Sequence, residues 1–157
     1  MFRARRVLPL IPAIAILSLG GSCGGGKDQV SPAELVQKAD EICGKERTSF
    51  GRIQARPPPN ASVAADQTGE LIRVTEDANS RLRELKPPEE LQSAYDRYLE
   101  SRDRVIDQMK RGEDAAENQD SHAYGAAQAA VARDAHQRRK LARSLGLRVC
   151  SSSPATA

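Results

Sequence analysis

Glu46, Arg102, Asp134 and Arg138 are charged, yet each falls in the middle of an apolar stripe when the sequence around it is wound as a helix. Counting about 1.5 Å per residue from the end the helices share, Glu46, Arg102 and Asp134 come out about 18 to 23 Å up, with Arg138 about one turn lower. Two acids and two bases at nearly one height are expected to form a neutral polar layer across the waist of a helical protein. Such a layer has three readings. As a closed ion network it fixes helix register while adding little net stability. Opened to solvent, it becomes the polar wall of a ligand pocket, with Tyr95 or Tyr98 beside it. If the helices are misphased, the four groups simply face water.

Other residue types point to little chemistry. His122 and His136 lie about 21 Å apart along one helix and make no shared metal site. No Glu-x-x-His pair suits a di-iron bundle, and no Cys-x-x-Cys-His suits haem attachment. His136 stands among Arg133, Arg139, Lys140 and Arg143, a basic face that either meets anionic lipid or polymer or merely complements the negative end of its helix. There is no Gly-rich phosphate loop after a strand and no serine in a nucleophile elbow. The sequence is therefore read as non-enzymatic, with no cofactor, no metal and no nucleic-acid partner.

The elements that must position these groups are helices. Ser31-Pro32-Ala33-Glu34 combines an N-cap serine, a proline at the first helical position and the glutamate of a capping box. From there Leu35, Ala39, Ile42, Glu46, Phe50 and Ile53 recur at steps of three and four until Pro57-Pro58-Pro59. A second series, Ala64, Gln67, Leu71, Val74, Ala78, Leu82 and Leu85, runs to Pro87-Pro88, which cannot continue a helix. Glu89 and Glu90 open a third helix whose inner face carries Leu91, Tyr95, Tyr98, Arg102, Val105, Ile106 and Met109, with Gly112 as its expected stop. The fourth begins between Asp114 and Ser121, carries Tyr124, Ala127, Val131, Leu141 and Leu145, and ends at Gly146. Acid-before-base pairs four residues apart, Glu34–Lys38, Glu41–Lys45, Asp77–Arg81, Glu100–Arg104 and Asp107–Arg111, fit helices and not strands. The expectation is an all-α, antiparallel up-down-up-down four-helix bundle over residues 31–150, followed by a disordered tail at 151–157.

The first thirty residues read differently. Met1 to Arg6 is a positive stretch and Val7 to Leu19 an apolar one, broken by Pro9 and Pro12, which is the grammar of a signal peptide over residues 1–22. A spanning helix wants about twenty apolar residues, so a permanent transmembrane anchor is the lesser alternative. Arg3, Arg5 and Arg6 carry the whole formal excess of +3, leaving the rest of the chain close to neutral. Leu19-Gly20-Gly21-Ser22-Cys23 resembles a bacterial lipobox, although Gly20 stands where a lipobox has a large aliphatic residue. That resemblance implies cleavage after Ser22 and a diacylglyceryl group on Cys23, with residues 23–30 as a flexible linker. Of the three cysteines in the chain, lipidation takes one, and Cys43 and Cys150 remain. In an oxidising compartment these two are expected to form a disulfide, the alternative being two separately buried thiols.

With Ala39-Asp40-Glu41-Ile42-Cys43 and the closing Leu145-Gly146-Leu147-Arg148-Val149-Cys150, the chain resembles a group of small uncharacterised lipoproteins of high-GC Gram-positive, actinobacterial-type bacteria. The resemblance implies a lipid-anchored helical domain with paired cysteines on the extracytoplasmic face of the cell membrane. The module would bind an envelope protein or ligand or serve a structural role. The alternative is a small-ligand carrier or sensor built on the polar layer.

Overall fold

The computed structural model describes residues 29–152. The expected leader, Cys23 and the expected linker up to residue 28 lie outside the described residues, as do residues 153–157 of the expected tail. Four helices, α1 (Pro32–Gln54), α2 (Ala61–Glu84), α3 (Glu89–Glu117) and α4 (Ser121–Ser144), form an all-α bundle with no strand among the described residues. None of them is long and apolar enough to cross a membrane.

The helix ends follow from local chemistry. At α1 the Ser31 hydroxyl accepts the Glu34 N–H, and the Glu34 carboxylate accepts the Ser31 N–H at 2.9 Å, closing the capping box. Asn60 and Asp120 cap α2 and α4 through their side-chain oxygens, which accept the N–H groups of Val63 and Ala123. The Gln67 amide of α2 donates to the Ile53 and Arg56 carbonyls at 2.7 and 3.0 Å, covering orphan acceptors where α1 stops. Beyond α4, Gly146 turns the chain at φ 76°, a conformation that favours glycine.

Two sequence expectations are corrected. Gly112 does not stop α3, which runs on to Glu117. It is buried inside the helix against α4, where a Cβ would make an ordinary 3.5 Å contact with that of Ala127. On α2 the buried stripe is not the one drawn from the large apolar residues. It comprises Ala65, Thr68, Gly69, Ile72, Thr75, Ala78, Asn79 and Leu82, while Leu71 and Val74 are only half-buried. Small residues fill that face where α2 packs along α3, and at Gly69 the carboxylate end of Glu113 occupies the space a Cβ would take. The threonines suit burial because their hydroxyls donate to carbonyls one turn back, Thr68 to Ala64 and Thr75 to Leu71.

Of the five expected intrahelical ion pairs, Glu41–Lys45 and Asp77–Arg81 close, at 2.7 and 3.2 Å. Glu34 instead turns back to Ser31. On α3, charge goes between helices: Lys110 pairs with Glu76, and Asp103 binds both Arg83 and Asn79 of α2.

Helix α3 is the central strut, packing extensively on α4 and on α2, while α1 packs on α2 and its backbone barely approaches that of α4. Two apolar clusters result. One joins Leu35, Leu82, Tyr95, Tyr98, Leu145 and Leu147 around Cys43 and Cys150. The other holds Ile72, Val105, Ile106 and Met109, with Phe50, Leu71 and Val131 half-buried against it. Along α1, α3 and α4 respectively, Glu46, Arg102 and Arg138 fall between the residues of the two clusters.

Candidate functional site: the charged waist

The site is built from the disulfide outward. Cys43 and Cys150 are bonded, with their Cα atoms 5.2 Å apart. What delivers Cys150 is a turn after α4 whose N–H groups converge on one carboxylate: Asp40 accepts from Arg148, Val149 and Cys150 at 3.0, 2.9 and 3.1 Å. Asp40 and Cys43 stand one turn apart on α1, so the same face of that helix holds the returning chain twice. In the sequence Asp40 belongs only to the short pattern Ala39-Asp40-Glu41-Ile42-Cys43. Its role needed a partner more than a hundred residues away that has no side-chain signature, because the bonds go to backbone.

One turn beyond Cys43, Glu46 accepts from the Arg102 guanidinium at 2.9 Å. Arg102 is 1 % exposed, and Glu46 keeps only 10 % of its side chain in solvent. A second Arg102 nitrogen reaches the Tyr98 hydroxyl at 3.4 Å, and its guanidinium carbon lies 6.0 Å from the Tyr98 ring centre. Burial works against the Arg102 charge. The adjacent Glu46 carboxylate and the Tyr98 oxygen outweigh it, so the guanidinium is held above its ordinary pKa and stays cationic. The Tyr98 hydroxyl also sits 3.7 Å from Cys43 Sγ, linking waist and staple. Tyr95 donates its hydroxyl to the Leu82 carbonyl at 2.8 Å. Burial, and then the neighbouring Tyr98, push its phenol well above the usual range, which keeps it neutral.

Arg138 comes to the same place from α4, and Asp134 does not. Among the described residues neither forms an ion pair. Asp134 is half-buried one turn away, beyond the reach of its short side chain, whereas the long Arg138 side chain enters the waist. The expected neutral layer of four is therefore a group of three: one carboxylate and two guanidiniums. Burial, and secondarily the charge of Arg102, lower the Arg138 pKa against a smaller opposing pull from Glu46. The Nε atoms of both Arg102 and Arg138 are buried without a hydrogen-bond partner. Unmade bonds of this kind are costly inside a protein.

Beside these side chains lies open space. Glu46, Arg102 and Arg138 line a solvent-connected cavity of about 80 Å³, whose wall includes the disulfide and whose rim carries Arg47. Arg47 is tied by a 2.7 Å bond to Ser152. The volume exceeds that of a single water and admits a few waters or a small polar group. Chemically the cavity offers planar donor forks with surplus positive charge, an arrangement for carboxylate or phosphate oxygens. His122 and His136 are exposed, and among the described residues no three of His, Cys, Asp or Glu are grouped to hold a metal ion. Comparison with known proteins finds no match: no protein family fits the chain, and no curated protein or solved structure is detectably similar to it.

Proposed function

We propose that this chain is an exported, non-enzymatic binding module, held to the outer face of the cell membrane by lipid on Cys23, that takes a small anionic ligand at its charged waist. The reading of address rests on the leader and lipobox-like sequence, and a disulfide suits an oxidising compartment. The helices run up, down, up, down, a topology favoured by the start of α1 and the end of α4 sharing one apolar cluster. The observation that carries the ligand reading is Arg138, a largely buried guanidinium with no carboxylate partner beside a cavity open to solvent. A purely structural layer would be closed and paired throughout. The Glu46–Arg102 bond alone meets that description.

The test is a titration of the protein with acetate and with inorganic phosphate, followed through the arginine Nε–H resonances. Saturable shifts at Arg102 and Arg138 are expected, and Arg138→Gln is expected to abolish them. The same substitution removes an uncompensated buried charge and is expected to raise stability by about 1 kcal/mol. Absence of any saturable shift with either anion overturns the ligand reading. An unmodified Cys23 in mass spectra of the native protein overturns the anchor.

A further inference from the structure

The walls of the waist cavity carry an unequal set of charges. Glu46 and Arg47 are neighbours on α1, Arg102 comes from α3 and Arg138 from α4. Three guanidiniums therefore meet one carboxylate, which leaves two positive charges unmatched. Arg47 acts from the exposed rim, where Ser152 holds it, and Arg138 forms no ion pair among the described residues. An adjoining cavity of about 300 Å³, which shares Phe50 and Arg138 with this one, adds Arg139 and no acid, so nothing in its wall cancels the surplus. Glu46 brings the complementary function. Its bond to Arg102 uses one of the roughly four lone-pair sites of a carboxylate, so the same wall that is rich in donors also holds an acceptor.

We propose that the waist ligand is inorganic phosphate, bound as the hydrogen phosphate dianion: its two charges meet the surplus of Arg47, Arg102 and Arg138 over Glu46, and its one P–OH donates to the Glu46 carboxylate. This deepens the small-anion reading above and rests on it. Guanidinium forks suit tetrahedral oxyanions, and a space that admits a few waters admits one such ion. The charge count sets phosphate above a carboxylate, which brings a single charge and leaves a guanidinium unanswered. The proton sets it above sulfate and above a fully ionised phosphate monoester. Both match the charge, but neither has a proton to give, so an oxygen of each faces Glu46 lone pair to lone pair and the acceptor goes unused.

The test is calorimetric titration of the full chain in non-ionic detergent at about pH 8, where phosphate and its monoesters are dianions, with the arginine Nε–H resonances recorded alongside. Phosphate and arsenate share charge, shape and proton, and are expected to bind alike. Sulfate and methyl phosphate are expected to bind at least about tenfold more weakly, and acetate more weakly than phosphate by at least the same factor. Glu46→Gln places a donor where the acceptor was, so the preference for phosphate over sulfate falls to within about twofold. Arg47→Gln, on the exposed rim, removes one surplus charge and narrows the advantage of phosphate over acetate by at least about threefold; it carries the mutational test should Glu46→Gln fail to fold. Arg143→Gln, on the exposed face of α4, changes none of these affinities. Sulfate or methyl phosphate binding as tightly as phosphate overturns the proton pairing, and acetate doing so, or an unchanged preference in Arg47→Gln, overturns the charge match. In each of these cases the phosphate proposal falls and small-anion binding stands. Absence of saturable binding by every anion overturns both.

Discussion

The two ends of the bundle are built to different standards. Around the disulfide, Leu35, Ala39, Leu82, Tyr98, Ala142 and Leu147 have no exposure at all. The returning chain there is held by Asp40 as well as by the Cys43–Cys150 bond. Past the waist, the cluster of Ile72, Val105, Ile106 and Met109 is smaller and leans on half-buried Phe50, Leu71 and Val131. Of the α4 residues on that side, only Ala127 is fully buried. A cavity in a protein core costs stability in proportion to its size. The contrast teaches how a narrow bundle tolerates one: the stapled end carries the stability that the more loosely packed end lacks.

The largest effect should come from cutting the staple. The bond spans 107 residues, and closing a loop of that length is worth about 4 to 5 kcal/mol in the chain-entropy account. Cys43→Ala with Cys150→Ala is expected to lower the urea unfolding free energy by about that amount. Because that loss acts through the unfolded chain, protection falls along all four helices; if the comparison holds, amide hydrogen exchange will show it falling further in the first half of α1 and the last turns of α4. A loss spread evenly along all four helices would break it.

The sequence made the helices legible because period, caps and prolines are local signals, and three of the four helices end at the breaks those signals mark. It also placed Glu46, Arg102 and Arg138 at one waist, since a charge inside an apolar stripe stands out wherever it lies. Asp134 was misplaced by the same reasoning. Height along a helix is set by rise per residue, but side-chain length decides which of two neighbouring charges reaches the centre, and arginine outreaches aspartate. The phase of α2 was hidden because its inner face is made of Thr, Gly, Ala and Asn, which carry almost no hydropathy signal. A cavity of about 300 Å³ bordered by Phe50, Leu71 and Met109 was hidden too, because a void is a property of how far apart two helices sit and no residue type encodes it.

A truncation at each end sharpens the contrast at the level of single side chains. Leu82 is fully enclosed in the stapled cluster, whereas Met109 is 8 % exposed and already borders the cavity at the far end. Leu82→Ala removes contacts on every side and leaves a new void, so about 4 kcal/mol of unfolding free energy should be lost. Met109→Ala enlarges a space that exists, with fewer neighbours to lose, and about 2 kcal/mol is expected. Equal losses in matched urea titrations would mean that the far end is packed as tightly as the near one.

The smallest effect is electrostatic and belongs to the stapled end alone. The Ser31 N–H, then the Ser31 hydroxyl and the nearby Lys38, hold the Glu34 carboxyl below its ordinary pKa. A carboxylate depressed in the folded state stabilises it above the unfolded pKa, and that contribution disappears as pH falls through the folded value. The wild-type protein should therefore exceed Glu34→Gln in urea midpoint above about pH 5, and the two should converge toward about pH 3. A difference that stays constant across that range would assign the role of Glu34 to hydrogen-bond geometry that glutamine preserves or loses regardless of charge. The capping box would then contribute to the start of α1 without making the stapled end sensitive to acid.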